Sequence, residues 1–263
     1  MKKKLIVSGC SFTTDNFISS GYPNLDCSWT KWPKLLAEKL NMEVINLGLN
    51  GAGNRYILQT LVETIEKTPK EEIGLVIAAW SQSNRDDWQE YKKFISNKSN
   101  DRYLKNFQWR NKRLDRVGDV FYWVRETCLH YIIIQNICER YSLPYCQFQM
   151  LSLYEGWLSG LLKTEKELVE NSKNPNFEKR YKYNGDDKDR YILHELVFSY
   201  QKFINTKNFL GWPSVEKQRG FTIEEKVILP NHKDNTIGEY DKHPNENGHK
   251  QIAEFLYTRL KHE

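Results

Sequence analysis

The chain has little of what marks secreted, metal-bound or membrane-spanning proteins. Its five cysteines, Cys10, Cys27, Cys128, Cys138 and Cys146, are odd in number, scattered, and form no CxxC pair. Neither a disulfide framework nor a cysteine-based zinc site is indicated, and reduced thiols in a cytosol fit best. No run of about 18 apolar residues occurs, so no segment reads as a membrane-spanning helix. Lys2 to Lys4 ahead of Leu5 to Cys10 imitates a lipoprotein export signal. The apolar stretch is only about three residues, against the roughly 7–15 that export requires, so a cytoplasmic protein is expected. Charge of one sign is also scarce in excess: 39 Lys and Arg stand against 34 Asp and Glu. A formal charge of +5 neither demands nor excludes a polyanion partner.

What is present points to a folded α/β protein. Trp, Tyr and Phe make up 13% of the 263 residues, which excludes disorder and allows one large core. Leu5, Ile6 and Val7 form a short apolar strand, broken by Gly9, with Ser11 and Thr13 following where the chain leaves the sheet. Ser28 is expected to open a helix in which Trp32, Leu35, Leu36 and Leu40 recur at helical spacing. A second strand, EVIN, leads into the three-glycine loop LGLNGAGN at 47–54. A helix with Ile57, Leu58, Leu61, Val62 and Ile65 on one face comes next, then the apolar strand IGLVIAA at 73–79. The β-α-β-α-β order with short connections predicts a parallel, doubly wound sheet.

A long helix is expected over about 120–141 and a fourth strand over 144–151. Two stretches interrupt the pattern, and both are expected to be insertions in a single domain. Residues 84–118 interleave Arg and Lys with aromatics and read as a partly helical insertion over the sheet edge. Acidic residues such as Asp86, Asp87 and Glu90 dilute this basic patch, which argues against nucleic acid as a partner. Residues 152–230 hold helical patches at 158–169 and 192–205 around a polar stretch at 171–190. A last helix begins near Glu246, with Asn245 as its natural cap.

The chemistry-bearing residues lie at opposite ends of the chain. In a doubly wound sheet, Ser11 after the first strand and the loop YDKHPNENGH at 240–249 both fall at the carboxyl edge, where ligands bind. A serine attacks an acyl carbon only when a base takes its proton and a third group orients that base. Ser11, His243 and Asp241 supply those three types. Backbone N–H groups at Ser11 and in the glycine loop around Gly51 are placed to receive an oxyanion. Asp241, His243 and His249 are also possible metal ligands, but no further cluster has ligand spacing. His249 is expected to be packed or capping.

Four blocks in order, GCSFT at 9–13, NLGLNGAGN at 46–54, WSQSN at 80–84 and DKHPNENGH at 241–249, resemble those of the SGNH (GDSL-type) hydrolases, in particular divergent phage and bacterial members. The resemblance implies a three-layer α/β/α sandwich with a five-stranded parallel, flavodoxin-like sheet. It implies Ser11 as nucleophile, His243 as base and Asp241 as its orienter, with the N–H groups of Ser11 and Gly51 in the oxyanion hole. Cys10 stands where the family usually has Asp, and Gln82 where it has the oxyanion-hole Asn, with Trp80 in place of Gly. Gln82 offers the same amide donor on a longer arm. The family spaces Asp and His three apart, and here they are two apart, leaving Glu239 or a backbone carbonyl as other orienters.

Asn54 is expected to cap the helix after the glycine loop or touch substrate, and Trp80 to line the site. Arg85 is expected to bind a carboxylate or acidic sugar, or to be solvated. Trp80, Trp157 and Trp212 offer surfaces on which a sugar could stack. The expected activity is hydrolysis of a small ester, such as an O-acetyl group on a carbohydrate, with no cofactor or metal. A non-catalytic ligand-binding protein and an acyltransferase on the same scaffold are the alternatives.

Overall fold

The computed structural model describes residues 2–85, 87–91, 107–111, 120–154, 187–214 and 219–261. In chain order the elements are β1 (Lys4–Ser8), α1 (Trp32–Lys39), β2 (Glu43–Asn46), α2 (Asn54–Lys67), β3 (Ile73–Trp80), β4 (Asp87–Tyr91) and β5 (Phe107–Asn111). They continue with α3 (Val120–Arg140), β6 (Tyr145–Gln149), α4 (Asp187–Ser199), β7 (Phe209–Leu210) and a π-helical turn (Glu224–Ile228). The chain closes with α5 (His232–Asn235), β8 (Thr236–Gly238), β9 (Asp241–Pro244) and α6 (Glu246–Lys261).

Five strands form one parallel sheet in the order β2-β1-β3-β6-β7, the flavodoxin-like arrangement. Side-chain alternation splits the core in two. Ile6, Val76, Ala78 and Tyr145 face one layer, where Ile57 and Leu61 of α2, Tyr131 and Ile134 of α3, and Leu193 and Val197 of α4 pack. Leu5, Val7, Leu75, Ile77 and Phe148 face the other, with Trp32 and Leu36 of α1 and Ile252 and Leu256 of α6. The result is a three-layer α/β/α sandwich. β3 is buried along its whole length, as a central parallel strand covered on both faces must be.

Two expectations need correction, the start of the first helix and the extent of the second insertion. The first helix starts at Trp32 rather than Ser28, because Ser28 N–H instead donates to Asp26 Oδ1 in a local turn and Pro33 suits the first helical turn. Within 84–118, residues 87–91 and 107–111 form an antiparallel ribbon, β4 with β5, and residues 86, 92–106 and 112–118 lie outside the described residues. The stretch 152–230 is not wholly an insertion, since it contains β7, the fifth strand of the main sheet. The patch at 158–169 lies outside the described residues.

The ribbon has a definite task at its start. Helix α2 has Gly53 at its N-cap, which offers no side chain, and Asn54 does not cap it. Asp87, only 2% exposed, reaches across instead: Oδ1 accepts Gly53 N–H and Oδ2 accepts Tyr56 N–H, each at 3.0 Å. A carboxylate thus satisfies two open N–H groups at the positive end of the helix. The approach needs Gly53, because a Cβ there would lie 2.7 Å from Asp87 Oδ2 and 2.5 Å from Arg85 O. Asp87→Ala is expected to lower stability by about 2 kcal/mol in urea unfolding, the sum of a lost cap and unsatisfied N–H groups. No change would mean that the two N–H groups find other partners.

Candidate active site

The switch point of the sheet lies between β1 and β3, where connections leave in opposite directions. The chain leaves β1 through a tight turn in which Thr13 and Thr14 N–H both donate to Cys10 O, at 2.8 and 3.2 Å. Gly9 is required there, because a Cβ would lie 2.2 Å from Thr13 Oγ1. The loop after β2 runs alongside, with Leu49 N–H donating to Gly9 O at 3.0 Å. Gly51 follows in that loop with φ +74°, a conformation that favours glycine. The loop after β2 and the turn carrying Ser11 therefore share one edge.

His243 comes to the same edge on β9, in a short hairpin with β8. Asn245 fixes the end of that hairpin: its Oδ1 accepts Gly248 N–H at 3.0 Å, capping α6, and its Nδ2 donates to Asp234 O and Thr236 O. His243 Nε2 lies 2.8 Å from Ser11 Oγ, across 232 positions of sequence. On the other side of the ring, Nδ1 lies 2.6 Å from Asp241 Oδ1, which also accepts His243 N–H at 3.0 Å. The spacing of two, set in a strand, puts the carboxylate and imidazole on one face. Phe12 and Phe17 pack on the ring, with centroids 5.0 and 4.3 Å away.

The electrostatics follow from these contacts. Burial pushes His243 below its ordinary value of 6.5, against the upward pull of Asp241, while Arg85 adds to the downward shift. For Asp241 burial acts upward, but hydrogen bonds from Ser19 and His243 together outweigh it and hold the carboxyl below its usual range. A carboxylate only accepts, so the imidazole proton sits on Nδ1 and Nε2 presents its lone pair to the Ser11 hydroxyl. Such a set can remove a proton from an alcohol and return it to a leaving group.

The other expected residues separate. Arg85 stays at the site: its Nη1 donates to Ala52 O at 3.3 Å, beside Gly51, and its charge is felt by His243. Gln82 is half-buried in the turn after β3, where its carbonyl accepts Arg85 N–H at 3.4 Å. Asn54 is corrected from a substrate contact to a brace. It is 3% exposed, its Nδ2 donates to Ser81 O and Thr127 Oγ1, and its Oδ1 accepts Ser81 N–H, so the amide is fully engaged. Trp80 is likewise corrected: it is fully buried, Nε1 bonds Gln147 Oε1 at 3.1 Å, and no face is open to substrate. Trp212, partly buried, packs on Phe209 and Tyr131 at the border of the core, and Trp157 lies outside the described residues. His249 does not join a metal set with Asp241 and His243; its Nδ1 accepts Trp32 N–H in the core, and burial pushes it down to about 3.

Residues not anticipated from the sequence complete the surroundings. Ser19 Oγ donates to Asp241 Oδ2 at 2.5 Å. Glu224, on the π-helical turn, is pushed up to about 7 by burial and feels the charge of Arg85. Neither residue stands in a motif: Ser19 lies in a polar loop and Glu224 in a short irregular helix, so spacing gave no signal.

No family model and no curated protein matches the chain. Solved structures align along nearly its whole length. A lipolytic protein of the G-D-S-L family from Desulfitobacterium hafniense is 15% identical, covers 98% of this chain and 99% of its own, and has a TM-score of 0.45. The psychrotrophic esterase EstA from Pseudoalteromonas is 10% identical over 99% and 97%, with a TM-score of 0.44. A carbohydrate acetylesterase family member from Sinorhizobium meliloti is 14% identical over 99% and 98%, with a TM-score of 0.45. Likeness at this level assigns no activity to the chain; the distances among Ser11, His243 and Asp241 are what bear on chemistry.

The balance at His243 is open to measurement. Titrated by NMR, its imidazole is expected below the ordinary 6.5, and Asp241→Asn is expected to move it lower still by removing the group that raises it. An upward move in the Asn variant would contradict the arrangement described.

Proposed function

We propose that this chain is a serine hydrolase of carboxylic esters that works through an acyl-enzyme. The observation that carries the reading is the continuous contact from Asp241 through His243 to Ser11, at 2.6 and 2.8 Å, on the ligand-binding edge of the sheet. Ser11 Oγ attacks the ester carbon while Nε2 of His243 takes its proton. The carbonyl oxygen becomes an oxyanion, received by the N–H groups of Ser11 and Gly51 and by the Gln82 amide. Collapse breaks the bond to the alcohol, which leaves with the proton from the imidazolium. Water then attacks the acyl-enzyme, giving its proton to His243, and Ser11 is released with that proton. Asp241 steadies the imidazolium and keeps the ring in the tautomer that accepts from Ser11.

The substrate to test first is a small acyl ester, such as an O-acetyl group on a carbohydrate. The complete burial of Trp80 removes that ring as a stacking surface, and Trp212 is partly buried with its ring packed on Phe209, so recognition falls to groups at the edge. Arg85 is one, anchored on the oxyanion loop with a fork suited to an acidic substituent. Transfer of the acyl group to a sugar hydroxyl instead of water uses the same intermediate, and product analysis with added acceptor separates the two. Retention of the scaffold for binding alone predicts no covalent chemistry at Ser11.

A fluorophosphonate probe is expected to label Ser11 in the native chain and not in Ser11→Ala. Hydrolysis of p-nitrophenyl acetate should fall about 10⁶-fold in kcat, to the background rate, in either Ser11→Ala or His243→Ala. Because His243 must be neutral to act, kcat/KM is expected to rise with pH through a value below 6.5 and to stay level above it. An unlabelled native chain that leaves the ester intact would remove the hydrolase reading in favour of the binder.

A further inference from the structure

We infer that Ser19 is a positioning residue of this site, acting through Asp241, and that the segment joining β1 to α1 holds both ends of the proton relay. The inference rests on the esterase reading for its catalytic consequence. From Asp15 to Asp26 the chain is exposed or half-exposed at every position except Ser19, which is 1% exposed. A small hydroxyl is therefore the one group that this loop sends inward, and it meets a carboxylate. Ser19 Oγ lies 2.5 Å from Asp241 Oδ2, the oxygen that His243 does not use, and accepts Tyr22 N–H at 3.0 Å. The Tyr22 bond occupies a lone pair of the hydroxyl, and an ionised carboxylate can only accept. The Ser19 hydrogen is thus directed at Asp241, as a short charge-assisted bond.

The same segment touches the relay throughout. Ser11 meets Nε2, Phe12 and Phe17 pack on the imidazole, and the Tyr22 ring lies 6.3 Å from that of Tyr240. A Cβ on Gly238, in β8, would meet Tyr22 at 2.5 Å, so the loop lies directly on the hairpin that carries Asp241. Ser19 is the point where this contact becomes chemical. By holding part of the carboxylate charge on Oδ2, it moderates what Oδ1 offers to the imidazole and fixes the carboxylate plane. The charged or titratable groups acting on His243 are Asp241 on its own strand, Arg85 from the turn after β3 and His249 from α6. Those acting on Asp241 are Ser19 and His243.

The test is Ser19→Ala in the full chain, with p-nitrophenyl acetate as substrate. We expect kcat to fall about tenfold with KM within about twofold, since the loss is of relay geometry rather than of substrate contacts. The acid limb of kcat/KM should move to higher pH, because an Asp241 freed from Ser19 favours the imidazolium more strongly. In an Asp241→Asn background the same substitution should cost no further rate, whereas a purely structural role would multiply the two losses. Ser19→Thr keeps the donor and should keep the wild-type pH profile, which separates the hydroxyl from packing. An unmoved profile in Ser19→Ala, an effect on KM alone, or full multiplication with Asp241→Asn would overturn the inference. If the native chain is neither labelled by fluorophosphonate nor active on the ester, the hydrolase reading fails by itself. The His243 titration by NMR then decides the role of Ser19 without turnover: an upward shift in Ser19→Ala supports it, and an unchanged titration ends it.

Discussion

A buried carboxylate sets the terms for this site. Asp241 has a side chain 4% exposed, and burying a charge is unfavourable unless donors replace the lost water. Three do: Ser19 Oγ, His243 N–H and His243 Nδ1–H, two on one oxygen and one on the other. Each donor comes with a structural demand. The His243 pair requires β9 to be extended with the two residues two apart. The Ser19 bond requires the segment after β1 to fold back over the β8–β9 hairpin. Any packing that separated these elements would leave a charge without partners, so the satisfied carboxylate ties the first turn of the chain to the last hairpin.

The rest of the sheet edge is braced against that arrangement rather than into it. Asn54 joins the start of α2 to the end of β3 and to α3, and Asp87 closes the N-terminus of α2 from the ribbon. Both polar side chains are buried and bonded, and both grip backbone beside the glycine loop, at Gly53 and at Ser81. Arg85 adds a contact to Ala52 O on the same loop. The Gly51 turn is therefore fixed on its far side by three side chains from α2, the turn after β3 and β4. On the proposed reading this loop presents backbone N–H groups to a substrate, and bracing suits that role, since preorganised donors need no reorganisation when charge develops.

Much of this was legible in the sequence, for reasons that are physical. Strands β1 and β3 are continuous apolar runs and helix α2 has a clean apolar face, so periodicity alone orders the first half of the sheet. The chemistry of Ser11, His243 and Asp241 was legible as types and as positions after strands. What the sequence withheld is whatever depends on one side chain reaching across the fold. Asn54 looks like a helix cap by position, and only the proximity of Ser81 turns its amide away. Trp80 ends a strand at the ligand-binding edge, yet the sheet's pleat directs its ring into the layer of α3, where it lies 5.2 Å from Tyr131. β7, two residues long, is too short for any pattern. Ser19 sits in a loop whose composition says only that it is polar.

Neutrality at two histidines separates a reactive site from a merely well-packed one. His249 is neutral because it is surrounded by core, with Nδ1 taken by Trp32 N–H. His243 is neutral for a different reason: burial lowers it while Asp241 pulls the other way, and 29% of its side chain remains exposed. A histidine kept only for packing needs no carboxylate on one nitrogen and no hydroxyl on the other. At His243 the carboxylate fixes the proton on Nδ1, leaving Nε2 basic, and a hydroxyl 2.8 Å from Nε2 belongs to the turn at the sheet's switch point. A histidine that burial lowers and a carboxylate raises, with part of its ring still open, is the arrangement expected of a general base. On the proposed reading, proton transfer at Ser11 depends on that arrangement.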